Sequence, residues 1–557
     1  MTASSYIESV KHLPVSTANA KIEEICGVKY FFEHQNSSLK FKLSHRETPK
    51  EREEYGDWQT TMELAIKVCL LLKEEGADPK VIIEPTCGKG HFILAALQVF
   101  DNLEDIFGIE IQGSYLEELK LDLLQYYINN SHKRRVRIHL YHQNVFDFDF
   151  VSIKECLADR ETLVLGNPPW VTNSKLGGFG SGNVPQKNNF KKLEGLDAIT
   201  GKSNFDIAEY ICRQMIMLLA GEDARLALLL KNSVVKNIVY GQQNGNLMID
   251  SLYQYTIDAK KEFGVSVAAS LLYLTMGDKT AKHCQVKNFY TNSNVSKYGW
   301  IDNHFVADAD AYQKCRYIEG ESPLIWWSGL KHDCAKVMEL SFDGKQYLNG
   351  LNEIVEIEDD MIFPLLKSSD LKGEVITSVR KYVIVTQKST SDDTDWIRSK
   401  YPKTYKYLLS HAEYFDNRGS RIYQGRPRFC IFGIGRYSFK PYKVVVSGLY
   451  KEPNFAVVSP IEDKVVMLDD TCYMLGFDNP NDALITQSVL KSIPVQTFIK
   501  SLLFVDAKRV INKELLMRID LARALVHFND ETFSELELQQ YATMLKDNMI
   551  PKQFTLF

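Results

Sequence analysis

Val81-Ile82-Ile83-Glu84-Pro85-Thr86-Cys87-Gly88-Lys89-Gly90-His91-Phe92 is the stretch that decides the fold. Val81, Ile82 and Ile83 are apolar and β-branched, the composition of a buried strand. Gly88 and Gly90 then give a turn in which backbone can pass close to a ligand, and residues 91–100 have helical periodicity. A strand that runs through a glycine-rich turn into a helix opens a nucleoside-binding α/β unit. A plain tight turn would use the same glycines, so the stretch gains weight from an acidic partner downstream. Glu110 ends the next predicted strand, twenty residues beyond Gly90. A carboxylate there can accept both hydroxyls of an adenosine ribose.

Working outward, short apolar strands are predicted at 81–83, 106–109, 136–140, 163–165, 226–230 and 269–274, with helical periodicity at 57–73, 91–100 and 116–127. Strands separated by helices predict an α/β fold with a doubly wound, mostly parallel sheet. After Gly277 the rhythm stops, and aromatics, turns and scattered prolines take over. The chain is therefore divided into a lead-in at 1–50, an α/β domain at 51–280 and a further domain at 281–557.

Composition narrows the class. The chain has 557 residues, 45% hydrophobic and 25% charged, which suits two or three globular domains. No apolar run reaches membrane-spanning length and the first residues carry no secretory pattern, so a cytoplasmic protein with no membrane association is expected. Ten scattered cysteines without a Cys-x-x-Cys pair argue against a disulfide framework or a zinc site. A net charge of −5 excludes a strongly basic chain, so any nucleic-acid contact must come from a local patch.

Leu163-Val164-Leu165-Gly166 leads directly into Asn167-Pro168-Pro169-Trp170. Adjacent prolines stiffen the backbone and remove two N–H donors, so carbonyl groups at Asn167 and Pro168 can both face outward. Two such acceptors hold the hydrogens of an aromatic amine and expose its lone pair to an electrophilic methyl group. Trp170 offers a flat face to a base. An Asn-capped Pro-Pro turn is the bland alternative. Sharing one sheet with Gly88, Gly90 and Glu110 favours the chemical reading.

The order of the turn at 84–92, Asn144 and Asn167-Pro168-Pro169-Trp170 resembles the amino-methyltransferases of DNA, particularly the gamma class, over about residues 56–274. The resemblance implies a Rossmann-like class I methyltransferase domain with a seven-stranded sheet, followed by an α+β target-recognition domain. It also implies S-adenosylmethionine as cofactor, no metal, and double-stranded DNA as substrate. By motif order the chain is closer to adenine-N6 than to cytosine-N4 enzymes. The implied reaction is methylation of N6 of a flipped adenine by a monomer, as the modification component of a restriction-modification system with a separate restriction endonuclease.

Carried over residue by residue, Asp57, Gln59 and Thr60 match the segment that closes over the cofactor, although Thr61 stands where proline is commoner. Glu84, Pro85, Cys87, Gly88 and Gly90 match the turn against the methionine part. Glu110 and Ile111 match the ribose contact. Asn144 and Val145 fall at the adenine contact, where the family usually has Asp, and Asp147 is a rival. Asn167 completes the cofactor wall, and Phe263 matches the aromatic residue that packs on the flipped base beside Trp170.

Two segments suit DNA. Residues 171–204 combine glycines with Lys175 and Lys187 and read as a mobile basic loop. Residues 411–451 carry eight basic and two acidic side chains, interleaved with tyrosines and phenylalanines. Arg418, Arg421, Arg426, Arg428, Lys440 and Lys443 are the expected DNA contacts, against the alternative of a solvated charged face. Competing functions are a cytosine-N4 enzyme, an RNA or protein-glutamine methyltransferase, and a non-catalytic DNA-binding module.

Overall fold

The computed structural model describes residues 1–32, 58–171, 206–243, 247–504 and 509–548, so Asp57, Lys175 and Lys187 lie outside the described residues. The chain divides into two compact units, Met1–Phe305 and Val306–Phe557. Among the described residues no helix is long and apolar enough to cross a membrane.

In the first unit the strands are β1 (Val81–Glu84), β2 (Asp105–Glu110), β3 (Arg137–His142), β4 (Thr162–Gly166), β5 (Ala224–Lys231), β6 (Ile249–Ile257) and β7 (Ala269–Met276), followed by β8 (His283–Asn288), β9 (Asn294–Ile301) and the short β10 (His304–Val306). They form one sheet in the order β10-β9-β8-β6-β7-β5-β4-β1-β2-β3. Strands β1 to β5 are mutually parallel, and β7 runs antiparallel between β5 and β6. Every residue of β1, β2 and β4 is buried, as expected for parallel strands covered on both faces. The strand order reverses between β1 and β4. That reversal opens a crevice at the carboxyl ends of the strands, where open α/β sheets bind ligands.

The six strands read from the sequence are joined by β6, which makes the seven that the resemblance implies, and by three more: β8 pairs parallel with β6 and antiparallel with β9. Their sequences intersperse polar residues among the apolar ones and lack the continuous apolar runs of β1, β2 and β4. The rhythm read from the sequence stops near 277 for that reason, while the sheet continues to Val306.

The helices of this unit are α1 (Ala3–Val10), α2 (Val15–Cys26), α3 (Met62–Glu74), α4 (His91–Val99), α5 (Gly113–Asn129), α6 (Ile207–Leu218), α7 (Asn232–Tyr240) and α8 (Ala259–Phe263). Thr61 starts α3 by accepting the Leu64 N–H at 3.2 Å, so the segment before it is released from the helix. Both α1 and α2 pack on α5. After α2 the chain reaches the outer edge of β3, where Val28 pairs with Ile138. The approach is close: a Cβ on Gly27 would lie 1.8 Å from the Val136 carbonyl oxygen.

The second unit is α+β. It holds β11 (Trp327–Ser328), β12 (Glu339–Phe342), β13 (Tyr347–Leu348), β14 (Ile354–Val355), β15 (Ile362–Leu366), β16 (Val375–Ile376), β17 (Lys381–Ile384), β18 (Tyr442–Ser447), β19 (Phe455–Val458), β20 (Met467–Leu468) and β21 (Cys472–Phe477). Two sheets result, β11-β21-β18-β19-β16 and β14-β13-β12-β17-β15-β20. β15–β20 and β16–β19 pair in parallel, and the other strand pairs described in these two sheets are antiparallel. One apolar cluster around Val337, Leu340, Val383 and Leu408 packs the second sheet against helices of 396–416.

Candidate active site

The carboxyl ends of β1, β2 and β4 and the segment after β3 enclose a cavity of about 850 Å³, its open mouth included. β1 delivers Glu84, and the turn after it supplies Pro85, Thr86, Cys87 and Gly88. Gly90 stands at the start of α4 and does not line the cavity. Its φ is +71°, and a Cβ would lie 2.2 Å from a methyl of Leu119, so the helix can follow the strand this closely only with glycine there.

β2 ends in Glu110, which is 8% exposed. One carboxylate oxygen accepts the Gly88 N–H at 2.8 Å and the other the Gln112 N–H at 2.9 Å. The carboxylate is thus oriented by the turn it faces. Ile111 lines the wall beside it, followed by Asn144 and Val145. The Asn144 Oδ1 accepts the Phe146 N–H at 3.1 Å in a local turn. The rival Asp147 is exposed and lies outside the lining.

Glu84 is 2% exposed, and its carboxyl is held well above the usual carboxylate range. Burial is the main cause and the charge of Glu110 adds to it, against a hydrogen bond from the Ile93 backbone. The Cys87 thiol is likewise pushed up by burial and by the same two carboxylates, so it is an inert wall group.

β4 delivers Asn167. Its Nδ2 donates to the Trp58 carbonyl at 2.7 Å and to the Thr60 Oγ1 at 3.3 Å. Seven buried side-chain polar atoms among the described residues have no hydrogen-bond partner, and three of them belong to this one lining: Glu84 Oε2, Thr86 Oγ1 and Asn167 Oδ1. Each such group costs about 1–3 kcal/mol to leave unpaired, so their concentration marks a surface built for a ligand. Two buried carboxylates ask for a ligand with cationic and hydroxyl groups. Apolar Ile207 and Ile211, with Phe146 nearby, suit an aromatic ring. An adenosine carrying a sulfonium and an ammonium group fits this donor and acceptor set.

Of the expected site residues, Gln59, Thr60, Glu84, Pro85, Cys87, Gly88, Glu110, Ile111, Asn144, Val145, Asn167 and Pro169 line the cavity; Pro168, between two of them, is buried. Trp170 departs from the expectation of an open stacking face. It is 6% exposed, its Nε1 donates to the Leu229 carbonyl at 3.1 Å, and its ring meets Phe263 edge-on at 5.2 Å. It anchors the loop to β5, and the half-buried Phe263 is the more accessible ring. Sequence reasoning missed Thr86, His91, Phe146, Ile207 and Ile211. The first three adjoin residues already singled out, whereas α6 follows the loop at 167–170 only after residues 172–205.

The basic segment is corrected in part. Lys443, on β18, is fully buried, and its ammonium donates to the Lys440 carbonyl at 2.6 Å, so it presents nothing to a polyanion. Burial lowers its pKa to about 7. Arg418 bonds the carbonyls of Phe415, Cys430 and Arg428 and stacks on Tyr423 at 3.6 Å, so it organises its own loop. Arg428 pairs with Asp416 and Lys440 with Asp478. Arg421, Arg426 and Arg436 are exposed.

No protein-family model matches the chain. It is 40% identical over 475 residues to the Type II methyltransferase M.NspV of Nostoc sp. (strain ATCC 29411 / PCC 7524), covering 85% of this chain and 97% of that one. Among solved structures, the Type IIL restriction-modification enzyme MmeI in complex with DNA shares 12% identity at a TM-score of 0.48, covering 90% of this chain and 74% of its own. The Type IIG restriction endonuclease BpuSI shares 12% at a TM-score of 0.37, covering 89% and 62%. The chain belongs to the Type II methyltransferases, and S-adenosylmethionine is its cofactor.

Proposed function

We propose that the chain is a site-specific DNA methyltransferase of the gamma class, which transfers a methyl group to N6 of an adenine rotated out of the duplex. The observation that carries this reading is Asn167 Oδ1: a buried acceptor without a partner, at the end of β4, on the wall of the cavity. An exocyclic amine needs acceptors of this kind. Asn167 Oδ1 takes one amine hydrogen and the Pro168 carbonyl takes the other, which turns the nitrogen lone pair outward. When bound, S-adenosylmethionine supplies the electrophilic methyl carbon. Transfer would leave S-adenosylhomocysteine, and the surplus amine proton, held against the Asn167 and Pro168 oxygens, would pass to solvent water.

Glu110 holds the ribose hydroxyls, Glu84 faces the cationic methionine part, and Ile111, Asn144 and Val145 line the adenine. Phe263 packs on the extruded base, and exposed Arg421, Arg426 and Arg436 contact phosphates. Extrusion costs a few kcal/mol, offset by those contacts and by stacking. The second unit recognises the duplex, and a separate endonuclease cleaves unmethylated sites. Incubation with labelled cofactor and duplex DNA, followed by nucleoside mass analysis, tests the reading. N6-methyladenine is expected. N4-methylcytosine would replace the base, and label in RNA or protein would overturn the substrate class.

A further inference from the structure

We propose that Trp58, Gln59 and Thr60, anchored by His91, form a positioning strap that fixes the Asn167 amide with its oxygen toward the reacting amine. The proposal rests on the reading of Asn167 as the amine acceptor. An Asn side chain has two ends of nearly equal shape, and only one is useful here: the NH₂ end would meet the substrate amine donor to donor. The partner of the other end decides which is presented. The Trp58 carbonyl is an acceptor only and lies 2.7 Å from Nδ2. Turning the amide over would set two oxygens at that distance. Thr60 Oγ1 adds a second contact to Nδ2 at 3.3 Å, leaving Oδ1 for the cavity.

The strap is itself tied down. The Thr60 carbonyl lies 2.6 Å from His91 Nδ1, and because a carbonyl can only accept, Nδ1 carries the proton. His91 is the first residue of α4, directly after Gly90. Between the two contacts, Gln59 Oε1 accepts the Lys89 N–H at 3.4 Å. One three-residue segment therefore holds the cofactor turn on one side and the catalytic amide on the other. Asn and Asp are not equivalent at 167: a carboxylate would lose both donors and face the Trp58 carbonyl with like partial charge.

The test uses the full chain with S-adenosylmethionine and duplex DNA, measuring kcat, KM for DNA, cofactor Kd and Tm for Thr60→Val, Thr60→Ser, His91→Ala, His91→Asn and Asn167→Asp. The expected result is a fall in kcat of about tenfold for Thr60→Val and for His91→Ala, the equivalent of one lost hydrogen bond in the transition state. The fall in kcat exceeds any change in cofactor Kd. Thr60→Ser restores kcat, His91→Asn restores it through its amide N–H, and Asn167→Asp falls further than Thr60→Val. The proposal is overturned if the loss resides in cofactor Kd alone, or if the Ser and Asn variants are as slow as Val and Ala. A Tm drop that accounts for the lost kcat in both Thr60→Val and His91→Ala also overturns it. Turnover retained by Asn167→Ala would instead remove the underlying reading of Asn167.

Discussion

At the carboxyl ends of β1 and β4, Glu84 and Asn167 each keep a buried oxygen without a partner, whereas the half-buried Arg418 and the buried Lys443 of the segment 411–451 are matched within their own fold. Arg418 uses all three guanidinium nitrogens on nearby carbonyls, and Lys443 donates to the Lys440 carbonyl. Both regions stand out in the sequence by residue type. Their difference lies in where the hydrogen-bonding capacity goes. A polar group that closes a loop serves the fold, while one left open toward a cavity serves a ligand.

The largest test of that contrast is Asn167→Ala. It removes the open acceptor while sparing the fold, so kcat should fall on the order of 10³-fold, as when a preorganised transition-state hydrogen bond is lost. Cofactor binding, followed by calorimetry, should persist. If turnover survives, the unpaired oxygen of Asn167 is not what the cavity is built around.

Glu84→Gln comes next. Its carboxyl is raised in the free protein, so binding a cationic ligand should draw it back to the charged form and release a proton. Cofactor affinity in the wild type should climb with pH and become flat in Glu84→Gln, at roughly tenfold or more weaker binding above neutrality. The stability sign is opposite. A raised carboxyl contributes stability that is full below the ordinary carboxylate range and is lost as pH rises through the folded value. Ligand-free Glu84→Gln should therefore outlast the wild type at alkaline pH in thermal melts, and equal pH profiles would argue against an uncompensated carboxyl.

Smaller effects are expected from the basic segment. Replacing Arg421 and Arg426 together by Ala should weaken DNA binding several-fold and lower the salt slope by about one for each phosphate no longer neutralised, at unchanged Tm. Arg418→Ala should instead lower Tm. A reversal of those two outcomes would erase the distinction drawn between exposed and loop-organising arginines.

Lys443→Met is the gentlest test. With the folded pKa lowered to about 7, neutral Lys443 contributes stability present above its ordinary value near 10.5 and lost as pH falls toward 7. Methionine removes that loss. Its Tm gain, roughly 2–4 °C for each kcal/mol, should be largest at neutral pH and vanish above the ordinary lysine range. A gain independent of pH would mean that packing, not charge burial, limits the site.

Much of this was legible in the chain itself. Val81, Ile82 and Ile83, the Gly88 turn, Glu110 and Asn167 fall where their spacing places them, because parallel strands buried on both faces leave uninterrupted apolar runs. Strand β6 was harder: Tyr253, Gln254 and Thr256 interrupt its apolar run, and polar residues break up β8 and β9 as well. The basic cluster was legible as charge, but charge counts say nothing of direction, and Lys443 points inward. The strap was invisible for a similar reason. Trp58 acts through its backbone carbonyl, which every residue possesses.

The pairing of Val28 with Ile138 has a bearing on solubility. β3 closes one side of a ten-stranded sheet, and an uncovered outermost strand is a template for another chain. The Ile138 N–H donates to the Gly27 carbonyl, and the Lys29 N–H to the Ile138 carbonyl, so the main chain of the lead-in occupies the place an intruding strand would take. Residues 27–29 thus cover part of the edge that another chain would otherwise pair with, and their close approach depends on a glycine at 27, where a methyl group would collide with Val136.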